Sequence, residues 1–212
     1  MLLAVTLLGA IGLSGPSVCA VADSAARATA PDYEALYRGG RTYVEFRDAA
    51  TQRRQAWRDH YARAVVGDAA LSRVHAAPGA WLLLVVAEDW CGDSANTIPY
   101  LAKLADLADN LELRIINSRV GRQIMESHRT PDGRAATPTV LLLDERFKAV
   151  GCFIERPGRL QAWFLENPDR LDDDELYRKK YEWYAQDAGA ATINDAVAMI
   201  EAAASGHPSC GG

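Results

Sequence analysis

The chain has 212 residues, 49% apolar and 24% charged, with a formal net charge of −5. That length suits one domain with a substantial core rather than two, and the ordinary composition excludes a disordered or fibrous protein. The acidic balance leaves no basic field of the kind that attracts nucleic acid.

The first element is an apolar run from Leu2 to Leu13, followed by Ser14-Gly15-Pro16-Ser17-Val18-Cys19-Ala20. It reads as a secretory leader over residues 1–20, cut near Ala20, and it is too short to span a bilayer. Export to the periplasm is therefore expected, with lipidation at Cys19 or a cytoplasmic location as lesser alternatives. Residues 21–30, small and polar, read as a flexible mature N-terminus. Of the four cysteines, Cys19, Cys91, Cys152 and Cys210, removal of the leader leaves three. An odd number implies at least one free thiol or an intermolecular partner.

A short helix is expected from Pro31 to Tyr37, and a long one from Thr42 to Val66 carrying Tyr43, Phe46, Ala50, Trp57, Tyr61 and Val65 on one face. His60 in that stretch reads as a surface or cap residue. A further helix from Asp68 to His75 stops before Pro78-Gly79. The run Trp81 to Val86 is apolar throughout, as a central strand buried on both faces should be. After it come Ala87-Glu88-Asp89-Trp90-Cys91-Gly92-Asp93-Ser94 and then a helical pattern to about Asp109. Leu111 to Asn117 reads as a second strand, Gly121 to Arg129 as a short helix, and Thr130 to Arg134 as a loop with surface arginines. Thr139 to Leu143 and Lys148 to Ile154 read as a hairpin turning at Asp144-Glu145-Arg146. Helices follow over Gly158 to Glu166, Leu176 to Gln186 and Asp195 to Ala204, and residues 205–212 read as a flexible tail. The basic run Arg178-Lys179-Lys180 beside acids at a helix start reads as a solvated face.

Cys91 stands where a strand meets a helix N-terminus, the place where unpaired N–H groups and the macrodipole favour a thiolate. Ser94, one turn on, can donate to it from its hydroxyl or its N–H. The carboxylates of Glu88, Asp89 and Asp93 oppose a second negative charge if they point inward.

Trp90-Cys91-Gly92-Asp93-Ser94 after a core strand, Pro99 inside the following helix, Thr137-Pro138 ahead of the third strand and Gly158 opening the last shared helix together resemble the thioredoxin-like family. The stretches Glu88 to Asp93, Leu111 to Ile115, Ile154 to Pro157 and Tyr177 to Asp187 further resemble a bacterial group of that family with a helical C-terminal extension. The resemblance implies an α/β fold, a central mixed four-stranded sheet flanked by helices, with one domain over residues 31–204. Residues 31–78 and 169–204 would be its N- and C-terminal helical extensions. It implies a cis peptide at Thr137-Pro138 facing Cys91, and Trp90, Gly92, Asp93, Thr137 and Pro138 as substrate-binding residues. Two departures stand out. Ser94 replaces the family's second cysteine, and Val85 occupies the place of its buried acid.

The expected activity is thiol-disulfide exchange of monothiol type, with Cys91 and Ser94 catalytic and protein or low-molecular-weight disulfides as partners. A mixed disulfide on Cys91 would be resolved by an external thiol such as glutathione, the one co-substrate considered, by Cys152, or by Cys210. The competing reading is a non-catalytic peptide-binding module on the same fold. No metal is expected, since His75, His128 and His207 share no ligand spacing with the cysteines, and a monomer is expected.

Overall fold

The computed structural model describes residues 31–167 and 172–211, with side chains to residue 208. The expected leader and flexible N-terminus, residues 1–30, lie outside the described residues. From Pro31 onward the chain makes one unit.

Two short helices open it, α1 (Tyr33–Arg38) and α2 (Tyr43–Ala49), the second started by a reciprocal capping box between Thr42 and Glu45. The expected long helix over residues 42–66 is in fact α2 and α3 (Arg54–Arg63). Its interruption has a tertiary cause: the N–H groups of Thr51 and Gln52 donate to the Asp89 carboxylate, at 2.6 and 3.0 Å, instead of to a helical carbonyl. Helix α4 (Asp68–Ala76) leads into strand β1 (Trp81–Val86), then α5 (Gly92–Leu107), β2 (Leu111–Ile116) and α6 (Arg122–Ser127). Strands β3 (Thr139–Leu143) and β4 (Ala149–Ile154) form the expected hairpin, and α7 (Gly158–Glu166), α8 (Asp173–Asp187) and α9 (Ala190–Ala204) follow.

The four expected strands lie in the order β2-β1-β3-β4, with β1 parallel to β2 and antiparallel to β3, and β4 antiparallel to β3. The mixed α/β fold is thus as expected, with one addition. Ser209–Gly211, expected in a flexible tail, is a short strand β5 parallel to the β4 edge. Three residues are too few to show a period of two, so nothing in the sequence marks them.

Alternation along β1 divides the core. Leu83 and Val85 face a layer with Trp57, Ile98, Leu101 and Val197, whereas Leu84 and Val86 face Tyr37, Ile124 and Leu141 on the other side. Helix α5 lies on the first face and carries Pro99, which lacks the N–H that would bond the Ala95 carbonyl. His60 fills the vacancy: its Nδ1–H donates to Ala95 O at 2.6 Å, and its ring stacks on Tyr100. His60 is therefore a buried structural residue, not the expected surface one. Gly189, with φ +84 between α8 and α9, sits where a Cβ would lie 2.1 Å from the Tyr100 ring. The start of α7 has no local side-chain cap, and Asp195 of α9 supplies one, accepting from Gly158 N–H at 2.9 Å. Among the described residues no helix is long and apolar enough to cross a membrane.

Candidate functional site

Strand β1 ends in the core, and the chain must turn before α5 can pack back on the same face. Cys91 is the N-cap of α5, so its side chain sits among the unpaired N–H groups of the first turn. Its Sγ accepts from Ser94 N–H at 3.4 Å and donates to Thr137 O at 3.1 Å. The Thr137-Pro138 peptide is cis, and Pro138 O in turn accepts from Glu155 N–H at 2.7 Å. Cys91 is 7% exposed, while Trp90 beside it is 53% exposed. The sulfur thus lies just below a surface whose apolar feature is the Trp90 ring. Of the two donors expected from Ser94, only the backbone one reaches the sulfur. The Ser94 hydroxyl is fully buried without a partner.

The three acids around Cys91 are each bound to a different part of the chain. Glu88 accepts from the N–H and hydroxyl of Ser118, after β2, at 2.8 and 2.5 Å. Asp89 accepts from Thr51 and Gln52 between α2 and α3. Burial works to raise the Asp89 carboxyl, but those N–H groups and the Thr51 hydroxyl outweigh it and hold it below the usual carboxylate range. The same loop is fixed by Trp57 Nε1–H on Asp89 O at 3.0 Å and by Arg53 Nε–H on Trp90 O at 2.6 Å.

Asp93, expected among the substrate-binding residues, is 7% exposed and faces α8. Tyr184 OH donates to Oδ1 at 2.8 Å, Lys180 Nζ donates to Oδ2 at 3.1 Å, and Arg156 Nη2 lies 3.8 Å from Oδ2. Burial first, and Asp93 second, push the Tyr184 hydroxyl well above the usual tyrosine value, so it stays a donor. Arg156 also donates to Glu155 at 2.8 Å, and Arg134 grips the same carboxylate with both terminal nitrogens at 3.0 and 2.9 Å. Arg134 is exposed, as a surface arginine should be, and from there it reaches the buried Glu155 carboxylate behind the proline loop. Gly92 lets α8 dock closely, since a Cβ there would lie 2.0 Å from the Tyr181 hydroxyl and would displace that ring.

Lys180 corrects the reading of Arg178-Lys179-Lys180 as a solvated face. It is 5% exposed, whereas Arg178 and Lys179 pair with Glu182 and Glu175 at the surface. The signal was in the spacing: Tyr177, Lys180, Tyr181 and Tyr184 recur at three- and four-residue steps, which places the lysine inside an aromatic stripe. Arg156, Glu155 and His60 carried no comparable signal.

Cys152 is 1% exposed, packs with Leu84 and Leu141 on the sheet face away from α5, and is disulfide-bonded. Its backbone lies opposite Cys210 in the β4–β5 register. The structure therefore does not bring Cys152 to Cys91, and a role as resolving thiol does not fit its place. Cys91 is a free cysteine. Val85, in the position of the family's buried acid, is fully buried in the apolar core. Among the described residues no three His, Cys, Asp or Glu side chains gather as a metal site.

The sequence model of the thioredoxin family matches residues 40–175, more than half of the chain. The chain is similar in structure to a protein of unknown function from Pseudomonas aeruginosa, with 27% identity, a TM-score of 0.65, and coverage of 82% of this chain and 99% of that one. It is also similar to an HIV epitope-scaffold, with 26% identity, a TM-score of 0.62, and coverage of 81% of this chain and 98% of the other. No curated protein matches it.

Proposed function

The chain belongs to the thioredoxin family, and on that premise we propose that it exchanges thiols and disulfides through Cys91 as a monothiol protein. The observation that carries this reading is the placement of the one sulfur: at the N-cap of α5, under a backbone N–H, and 3.1 Å from the Thr137 carbonyl.

In the first step the Cys91 sulfur gives its proton to solvent and attacks one sulfur of a substrate disulfide. A Cys91–substrate S–S bond forms, the substrate S–S bond breaks, and the departing thiolate takes up a proton. The N–H of Ser94 and the helix terminus stabilise the Cys91 thiolate when it forms and when it leaves. Thr137 O, released from the thiol, is then free to pair with an extended substrate backbone, and Trp90 offers apolar contact. No second thiol of the motif can close the cycle, and Cys152 is held in its own disulfide. An external thiol such as glutathione attacks the mixed disulfide, regenerates Cys91 and departs as the new disulfide. Asp93 acts here by fixing the start of α5 rather than by touching substrate.

The disulfide at Cys152 supports an exported protein working in an oxidising compartment such as the periplasm. The test is turnover of a glutathione mixed disulfide with excess glutathione, comparing wild type with Cys91→Ala. Wild type should turn over and the variant should fall to the uncatalysed rate. Equal rates in both would leave a peptide-binding module as the better account.

A further inference from the structure

Arg53, the residue before α3, has φ +47, in the left-handed region that side chains other than glycine's rarely adopt. Bonds to the cysteine loop hold it there. Asp89 accepts from the N–H groups of Thr51 and Gln52, Trp57 Nε1–H donates to Asp89 O, and Arg53 Nε–H donates to Trp90 O at 2.6 Å. Residues kept in sparsely populated conformations by such surroundings cluster at functional sites. The Trp90 carbonyl belongs to the peptide bond that joins Trp90 to Cys91. The Arg53 guanidinium is therefore anchored to the peptide unit that leads into the cysteine.

The rest of that guanidinium is uncommitted. Arg53 is exposed, and among the described residues neither of its terminal nitrogens has an acceptor. The surface arginines Arg38, Arg73 and Arg178 differ, each being paired with a glutamate. The acids nearest the cysteine in sequence are all engaged elsewhere: Glu88 with Ser118, Asp89 with Thr51 and Gln52, and the buried Asp93 with Lys180 and Tyr184. A guanidinium presents parallel N–H donors that match the two oxygens of a carboxylate, and one already fixed in place loses less freedom in binding it. The exposed Trp90 indole adds apolar surface in the same loop.

Building on the thiol-exchange reading of Cys91, we propose that Arg53 sets its substrate class: the terminal nitrogens of Arg53 bind a carboxylate carried a few bonds from the sulfur that Cys91 attacks. Small anionic disulfides are thereby preferred to neutral ones. Arg53 takes no part in making or breaking the S–S bonds.

The test follows a single reaction of the whole chain with two reagents, the anionic disulfide dithiobis(nitrobenzoate) and the neutral disulfide dithiodipyridine. In each, Cys91 gives its proton to solvent and forms a mixed disulfide with one half of the reagent. The other half leaves with the electron pair of the broken S–S bond and is counted by its absorbance, with Cys91→Ala as background. Arg53→Gln should lower the ratio of the anionic to the neutral rate constant about fivefold, the size of an exposed ion pair. Arg53→Lys should keep most of that ratio, and high salt should bring wild type down to the Arg53→Gln value. An unchanged ratio in Arg53→Gln, or equal losses with both reagents, would overturn the assignment and leave Arg53 as a residue that shapes the loop, with the exchange chemistry intact. A Cys91 that reacts with neither reagent would refute the exchange chemistry itself, and this assignment with it.

Discussion

Replacement of Lys180 by Met isolates the contact that joins α8 to the cysteine loop. The Lys180 and Asp93 side chains are 6% and 10% exposed and 3.1 Å apart. The substitution leaves the Asp93 carboxylate buried with the Tyr184 hydroxyl and with Arg156, whose nearest nitrogen is 3.8 Å away. Breaking one side of a buried pair costs about 3–5 kcal/mol, because the other charge remains without compensation. For a chain of this size that corresponds to a fall in thermal midpoint of about 6–20 °C. Asp93→Asn should be costly in its turn, since it leaves the Lys180 ammonium buried among the Tyr177 and Tyr181 rings. The double variant keeps a hydrogen-bonding group opposite Tyr184 and removes both charges. It should be less destabilised than the sum of the singles by about 1.5–3 kcal/mol. Urea unfolding followed by tryptophan fluorescence measures all four states of the cycle. A Lys180→Met variant within about 1 kcal/mol of wild type, or a strictly additive double variant, would mean that the pair is solvated and that the buried-pair reasoning is wrong.

Burial lowers the His60 imidazole below its usual value, with the Ala95 carbonyl opposing that shift only in part. The unfolded chain therefore binds the extra proton first, so stability is fully present above about pH 6.5 and is lost as pH falls through the lower folded value. Urea midpoints taken from pH 8 to pH 5 should fall, and His60→Gln should flatten that slope. Gly189→Ala places a methyl against the Tyr100 ring at a positive φ, and a loss of at least about 2 kcal/mol is expected from chemical denaturation. Reduction with dithiothreitol should open the Cys152 disulfide at a cost in stability of about 2–4 kcal/mol, read as a lower thermal midpoint. Cys152→Ser should be insensitive to the same treatment.

Much of the fold was readable because its signals are local. The all-apolar run Trp81–Val86, the hairpin turn at Asp144-Glu145-Arg146 and Gly158 at a helix start each act within a few residues, and the structure has β1, the β3–β4 hairpin and α7 there. What the sequence hid depends on partners far along the chain. The break between α2 and α3 exists because Asp89 takes the N–H groups of Thr51 and Gln52. His60 is buried because Pro99 leaves a carbonyl open. The site divides in the same way. Cys91 and the loop at Thr137-Pro138 stood out from their motifs, but the fate of the acids beside Cys91 did not. Charge counting alone set Glu88, Asp89 and Asp93 against the sulfur, whereas each carboxylate is bound to a separate segment.

That threefold attachment governs when the site can come into being. The loop from Glu88 to Asp93 takes its shape from Thr51 and Trp57, which precede it, from Ser118 just after it, and from Lys180 and Tyr184 near the end of the chain. A ribosome delivers those last two residues long after Cys91 has emerged. Until they arrive, Asp93 lacks its nearer counter-ion and its Tyr184 donor, with Arg156 alone at 3.8 Å, and the first turn of α5 has no neighbour at Gly92, so the cysteine is presented on a loop that is not yet finished. The long sequence separation of these contacts makes the site among the last parts of the molecule to be secured. A truncation anywhere before α8 would leave the thiol in place while removing the surroundings that give it a defined chemistry.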